Sequence, residues 1–581
     1  MNAYLLLKHF DRISDAPDAV ARLRRFILDL AVRGKLVEQD PDDEPAAELL
    51  KRIQAEKARL VKEGSSRKEK SRAPLAADEL PFPIPKGWQW SQLAEIGFIS
   101  PRNDVDGAIP TSFVPMTLIP ADYGIPHKHE IRPWSEIKTG YTHFAEGDVG
   151  LAKITPCFEN GKSTVFRSLT GGIGAGTTEL HIVRPLLVDA DYVLLFLKCP
   201  YFIESGIPRM TGTAGQKRVS ADYFAHSPFP LPPLAEQHSI IAKADELMAL
   251  CDQLEAAKNE REARRDRLVA ASLHRIGTAP AAADEAATAA QSAIHLRDAA
   301  RFHLHHLPRL TTRLEHIKQM RRAILNLAVR GRLVPQNPND EPAAELLKRI
   351  QADKARLVKE GKIKKPAPLP SVEIGDEPFP IPSDWMWCRL GEIGDWGSGS
   401  TPPRGNSEYY GGEIVWLKSG ELGDSLALSD SEERVSKLAL EKCSFRLNQP
   451  GDVLIAMYGA TIGKLAVLAE PAVTNQAVCG CTPFSGVFNK YLFLFLLSRR
   501  EDFHGQSEGG AQPNISKVKI VSSPFSFPPL AEQHRIVAKV DELMALCDQL
   551  ESQLTATQTD NRRLLEAVLH EALAPALEKA A

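Results

Sequence analysis

The sequence predicts an α+β fold in which two β-rich mixed α/β domains are separated by long helices that pair as an antiparallel coiled coil, the whole forming an internal pseudo-twofold repeat. Three observations predict it. Residues 232–255, PPLAEQHSIIAKADELMALCDQLE, return almost unchanged 296 positions later as residues 528–551. Residues 23–64 return in the same way as residues 320–361. Between these repeats lie two stretches whose texts diverge, although short Val, Ile, Phe and Tyr runs punctuated by Gly and Pro mark both as β-rich.

In chain order, a first helix stops at Gly34, and its copy at Gly331, where glycine allows a left-handed cap. After a Pro- and Asp-rich turn, a second helix starts at Asp43-Glu44-Pro45. Proline sits in its first turn and acids lie near the positive end of its dipole. Leu49, Ile53 and Leu60 mark one face. Polar, basic linkers follow at 65–71 and 362–370. Trp88 with Trp90, and Trp385 with Trp387, alternate as in a strand and are expected in the core, because both copies carry them.

The divergent stretches share a skeleton. Gly147-Asp148-Val149 matches Gly451-Asp452-Val453, Gly161-Lys162 matches Gly463-Lys464, and short helices are expected at 192–198 and 491–499. Each stretch leads into a long helix opened by Pro-Pro. Ile240, Leu247, Leu254 and Leu268 keep a seven-residue register, as do Ile536, Leu543, Leu550 and Leu564. That register predicts a coiled-coil seam. The expected boundaries are a helical region with its entry strand (1–97), a first β-rich domain (98–228), a long helix (229–276), an Ala-rich tether and linker (277–309), a second helical region with its entry strand (310–394), a second β-rich domain (395–524) and a last long helix (525–581).

Composition excludes more than it selects. Apolar content of 43%, charged content of 25% and a net charge of −3 are ordinary for a soluble globular protein. No apolar run is long enough for a bilayer and no signal peptide pattern appears, so a cytoplasmic chain is expected. The eight cysteines include no CxxC pair. His303, His305 and His306 are expected at a solvated helix end, without metal. Neither Gly-Lys pair completes a phosphate loop: Pro156 stands where the first glycine of one belongs, and Leu465 follows the other. No HExxH, GxSxG or GxGxxG after a strand is present, and no catalytic residue is assigned.

The segment order and the phrases LAVRGKLV, DEPAAELLKRI, LPPLAEQ, THFAEGDVGLAKITPCFENGK and GSGSTPPRGNSEYYGGEIVWLKSGEL resemble the specificity subunit of type I restriction-modification systems. The resemblance implies that the β-rich domains are target recognition domains, each reading one half of a bipartite double-stranded DNA site. It also implies two methyltransferase subunits binding S-adenosylmethionine and two restriction subunits using ATP and Mg, with no cofactor in this chain. Gln or Asn suits adenine and Arg or Lys suits guanine, and glycine lets backbone approach phosphate. The expected DNA-binding residues are therefore Thr139, Tyr141, Lys153, Lys162, Thr177, Thr178, Gln216, Lys217 and Arg218 in the first domain. In the second they are Ser400, Thr401, Arg404, Lys418, Tyr458, Thr461, Lys464, Gln512 and Asn514. Acidic and basic residues balance in each domain, which predicts weak DNA binding by the chain alone. The rival from another class is a coiled-coil adaptor bridging two protein ligands without DNA.

Overall fold

The computed structural model describes residues 10–63, 75–213, 215–277, 288–373, 375–507 and 513–573. The first linker (65–71) and Gln512 lie outside the described residues. The main helices are α1 (Phe10–Ser14), α2 (Ala19–Val32), α3 (Ala46–Lys62), α4 (Ala190–Lys198), α5 (Pro200–Gly206), α6 (Leu234–Gly277), α7 (Thr288–His305), α8 (Leu314–Val329), α9 (Ala343–Lys359), α10 (Asn489–Ser498), α11 (Arg500–Gly505) and α12 (Leu530–Leu573). None is long and apolar enough to cross a membrane. The chain forms two compact units, one of residues 1–261 with 557–581 and the other of residues 262–556.

In the first unit, α2 ends where Gly34 takes φ +65°, and a Cβ there would lie 2.4 Å from the Pro85 ring, so the cap also seats the next segment. Pro45 caps α3, and Leu49 and Ile53 bury its inner face. Strand β1 (Gln89–Gln92) pairs antiparallel with β10 (Pro228–Leu231), bringing the two ends of the first β-rich domain together. Within that domain, β2 (Gly97–Ile99), β9 (Leu180–Pro185), β6 (Val149–Ala152) and β7 (Ser163–Val165) form one sheet in the order β2-β9-β6-β7. A second sheet runs β4-β3-β8-β5, from β3 (Pro110–Val114), β4 (Glu130–Pro133), β5 (Thr142–Ala145) and β8 (Ile173–Gly176). The apolar helix α4 is buried beside the first sheet, and the Tyr192 hydroxyl donates to the Pro230 carbonyl at 2.8 Å.

The second unit repeats this plan around different text. Strand β11 (Met386–Arg389) pairs antiparallel with β20 (Pro524–Phe527). One sheet has the order β12-β19-β16-β17-β14, from β12 (Gly394–Ser398), β14 (Ser425–Leu428), β16 (Val453–Ala456), β17 (Leu465–Leu468) and β19 (Val478–Pro483). The other runs β15-β13-β18, from β13 (Tyr410–Leu417), β15 (Arg434–Val435) and β18 (Val473–Thr474). Helix α10 repeats α4, with the Tyr491 hydroxyl donating to Ser526 at 3.0 Å.

The joints between helical region and β-rich domain are duplicated bond for bond. Trp88 Nε1 donates to buried Glu236 at 2.8 Å, and Trp385 Nε1 to Glu532 at 3.0 Å. Gln237 accepts from the Asp189 amide at 2.9 Å, and Gln533 from the Phe488 amide at 2.7 Å. Arg24 grips Asp252 and Glu255 on α6, as Arg321 grips Asp548 and Glu551 on α12. The tryptophans thus belong to the scaffold: Trp88 and Trp385 are buried, and Trp90 and Trp387 pack at steep ring angles on Phe82 and Phe379, with centroids 5.1 and 5.0 Å apart.

Burial along the long helices departs from the seven-residue register. Leu254 and Leu268 are 44% and 46% exposed, and Leu247, Leu543, Leu550 and Leu564 are half-buried. Against the adjoining β-rich domain, α6 buries Ile240, Ala244, Met248 and Cys251, and α12 buries Ile536, Val537 and Val540. Each set joins the core of the adjoining β-rich domain. Small Ala and Cys side chains let the helix lie close against that core, so it, and not the leucine seam, takes up the apolar surface. Two further expectations are corrected. Of the expected tether and linker (277–309), residues 278–287 lie outside the described residues and Thr288–His305 is a helix; His303 on that helix is buried facing α6, its Nδ1 2.8 Å from the Ser272 hydroxyl.

The ends of the long helices are exchanged. The last turns of α12 belong to the first unit, where Leu565 and Val568 cover Ile13, Ala16 and Ala19. The last turns of α6 belong to the second, where Ile276 packs with Ala299 and Leu327. Each helix end meets a cation at a repeated position: Lys35 Nζ donates to the Leu573 carbonyl at 2.8 Å, and Arg332 Nη1 to the Gly277 carbonyl at 3.1 Å. Cations suit the negative end of a helix dipole.

Candidate nucleic-acid interface

In the first domain three segments meet where β6 ends. The Lys153 amide donates to the Glu179 carbonyl at 3.0 Å, and the Val219 amide to the Lys153 carbonyl at 2.9 Å. Thr155 donates to Lys217 at 2.9 Å, while Thr211 and Arg218 exchange bonds of 3.0 and 2.8 Å that close residues 211–218 into a tight loop. The close approach at the base of this loop needs Gly212, φ +128°, whose added Cβ would lie 2.8 Å from the Gln216 carbonyl. This lacing brings together Lys153, Thr177, Thr178, Gln216, Lys217 and Arg218. Thr178, Gln216 and Lys217 are exposed. Thr139 and Tyr141 lie in the segment just before β5 of the neighbouring sheet, where Thr142 pairs with Gly176 beside Thr177; the Tyr141 ring packs edge-on against Phe113. Lys162 is turned away from them, its Nζ donating to the Met116 carbonyl at 3.1 Å.

The same lacing returns in the second domain. Met457 donates to Ala477 at 2.8 Å, Ile515 to Met457 at 2.9 Å and Gly459 to Pro513 at 2.8 Å. Tyr458 bridges Asn514 as Ile154 bridges Arg218. Tyr458 and Asn514 are exposed, and the Thr461 hydroxyl is spent on the Tyr458 carbonyl at 2.7 Å. Lys464 continues this edge, its amide donating to Thr461 at 2.9 Å. The Ser400 amide donates to Thr474 at 2.8 Å, and the Thr401 hydroxyl donates to the Gln476 side chain. Arg404 and Lys418 flank β13, which joins this edge through Trp416 Nε1, donating to the Ser400 carbonyl at 3.2 Å, and through the Leu417 carbonyl, accepting from the Asn475 amide at 3.0 Å. Both cations pair with Glu433, and the Arg404 guanidinium sits 5.2 Å from the Tyr410 ring and 5.6 Å from the Trp416 ring.

Three residues that spacing did not single out matter here. Glu179 accepts from the Nε and Nη2 edge of the Arg218 guanidinium, with bonds of 2.9 and 2.8 Å, and the Arg218 bond holds its carboxyl below the usual range. Glu433 does the same for Lys418 and Arg404, and Gln476 accepts from Thr401. Glu179 is 39 residues from Arg218, so only the fold reveals the pair. Among the described residues no group of His, Cys, Asp and Glu could hold a metal ion.

Two unlike polar edges, carried on the same backbone lacing and the same scaffold joints, define a two-headed recognition protein. A family profile for the type I restriction modification DNA specificity domain matches residues 382–557. The chain is 39% identical over 570 residues to the type I restriction enzyme EcoEI specificity subunit of Escherichia coli, covering 95% of this chain and 94% of that one. It is 39% identical over 568 residues to the EcoAI specificity subunit of the same organism, with the same coverage. A chain from a solved type I R-M system structure shares 18% identity at a TM-score of 0.47, covering 86% of this chain and all of that one. The chain belongs to the specificity subunits of type I restriction enzymes.

Proposed function

We propose that this chain is the DNA-reading subunit of a type I restriction-modification complex and does no chemistry itself. Each recognition domain reads one half of a bipartite target through its polar edge. The long helices separate the two domains and set the gap, and the helical regions dock two methyltransferase subunits. Half-site spacing that mirrors protein symmetry is a common device of two-headed DNA readers. S-adenosylmethionine, ATP and Mg belong to the methyltransferase and the two restriction subunits.

One observation carries this reading: the scaffold joints are duplicated bond for bond while the edges they support differ. Duplicated joints suit identical partners, and different edges suit different half-sites. Among the cations of these edges, Arg218, Arg404 and Lys418 are already paired to carboxylates, which fits weak binding by the chain alone.

The test replaces residues 98–228 by residues 395–524 in the chain assembled with its methyltransferase subunits. Methylated sites mapped by sequencing are expected to become an inverted repeat of the second half-site. Retention of the original first half would overturn the assignment. The chain alone, given S-adenosylmethionine and DNA, is expected to leave adenines unmodified.

A further inference from the structure

Beneath each Gly-Lys turn lies one cation from the helices that back the sheet. In the first domain it is Lys198, the last residue of α4 and 8% exposed. Its Nζ donates to the Gly161 carbonyl at 2.9 Å, the Ala121 carbonyl at 2.7 Å and the Pro120 carbonyl at 3.4 Å. In the second domain it is Arg500, the first residue of α11. Its Nε donates to the Gly463 carbonyl at 2.8 Å, and its Nη2 to the Asp424 carboxylate.

The two side chains differ in chemistry and stand in unlike local text, KCPYF against SRREDF. Both nevertheless end on the same atom, the carbonyl oxygen of the glycine that precedes Lys162 or Lys464. Both glycines are left-handed, at φ +67° and +76°. On Gly463 an added Cβ would lie 2.9 Å from Arg500 Cγ, so the turn is shaped to admit the cation. Each cation also ties a second segment to the turn. Lys198 holds residues 120–121, close in sequence to the Met116 carbonyl that Lys162 Nζ reaches. Arg500 holds Asp424, whose carboxylate accepts from the Leu465 amide at 3.0 Å, directly after Lys464. A buried cation is costly compared with a neutral donor, and burial lowers the Lys198 pKa to about 7. Lys198 is buried and Arg500 partly exposed, yet each spans from the turn to a second segment, which a short neutral donor could not do.

We propose that Lys198 and Arg500 are positioning residues, each holding the Gly-Lys turn of its own recognition domain and thereby setting the sequence preference of that half-site alone. This rests on the DNA-reading function proposed above. The turn is bonded to the strand end that leads into the polar edge, the Ala152 amide donating to the Lys162 carbonyl and the Ala456 amide to the Lys464 carbonyl, both at 2.9 Å, and the cation fixes its backbone from below without touching DNA.

The test uses the full chain assembled with its methyltransferase subunits, S-adenosylmethionine and a pool of random-sequence duplexes, with methylated sites read by sequencing. The parent is expected to return a two-part consensus; a parent with no such consensus would overturn the DNA-reading function and this inference with it. Lys198→Met is expected to lower discrimination at base pairs of one half by tenfold or more and leave the other half unchanged. Arg500→Met is expected to do the mirror image. Lys198→Arg should keep most of the discrimination, because Arg500 shows that a guanidinium can hold this carbonyl. Equal losses in both halves, no change in either, or Lys198→Arg as damaging as Lys198→Met would overturn the proposal. Should Lys198→Met fail to assemble, Arg500→Met carries the same test on a less buried anchor.

Discussion

Glu179 sits where a carboxylate is least expected, in the middle of the edge proposed to meet a polyanion. Its bidentate bond pre-orders Arg218, yet its charge opposes phosphate, and these effects pull affinity in opposite directions. The pair is exposed to solvent, so its own contribution to stability is small. Its repulsion of phosphate acts on every DNA sequence alike, whereas a correctly oriented arginine helps only the right one. Glu179→Gln is therefore expected to raise affinity for random duplex several-fold and to narrow the ratio of specific to random binding. Competition binding of the assembled complex at fixed salt measures both. An unchanged ratio would show that Glu179 has no part in discrimination.

At the scale of elements, the two recognition domains should differ in acid. On β9, His181 faces Leu151, and at the matching place on β19, Cys479 faces Ile455. His181 Nε2 meets the Val219 carbonyl at 3.1 Å and its ring stacks on Phe224, so it holds the base of the loop that carries Gln216. Burial pushes its pKa down from 6.5 to about 4. The folded value lies below the unfolded one, so the contribution is complete above pH 6.5 and is lost as pH falls from there toward 4, up to about 3 kcal/mol. Burial lowers His127 and His143 of the same domain as well. Urea unfolding read by domain-resolved hydrogen exchange is expected to show the first domain losing stability between pH 7.5 and 5 while the second changes little. Equal losses in the two domains would contradict this.

Much at this scale was legible in the chain text. Gly34 and Gly331 announced the helix stops, Pro45 the next start, and the apolar runs at 192–198 and 491–499 are α4 and α10. The leucine register misled because the long helices carry two apolar faces, and a period count favours large side chains over the Ala244 and Cys251 that touch the core. His303 looked solvated because its partner, Ser272, is 31 residues away on α6. At the candidate edges, Gly and polar residues marked the loops, whose contact with DNA is the proposal. The carboxylates that hold their cations, and the buried Lys198 beneath them, were not, since each pairing is made by the fold and none by spacing.

For the whole molecule, the proposed ruler is the pair of long helices, α6 and α12. Seven residues added to both helices at matching points lengthen each by about 10 Å at 1.5 Å per residue. That is roughly three base pairs at about 3.4 Å per step. The methylated consensus is expected to gain a gap about three base pairs longer, at reduced efficiency, because the added step also turns one half-site by roughly a quarter turn of the duplex. Sequencing of sites chosen from a pool with random gap lengths reads the result. A parental gap kept at full efficiency would remove the helices as the ruler.

The exchanged helix ends also impose an order of assembly in time. Arg22 on α2 bonds Glu566 on α12 across 544 residues, and Ile13, Ala16 and Ala19 await Leu565 and Val568 from the same late turns. A chain leaving the ribosome shows this apolar patch long before its cover exists, whereas residues 262–556, needed for the second unit, follow one another without interruption. The unit begun first is thus the one closed last, and it cannot close before the second unit has been synthesised. A nascent chain halted between the two long helices would hold a complete β-rich domain on an unfinished base.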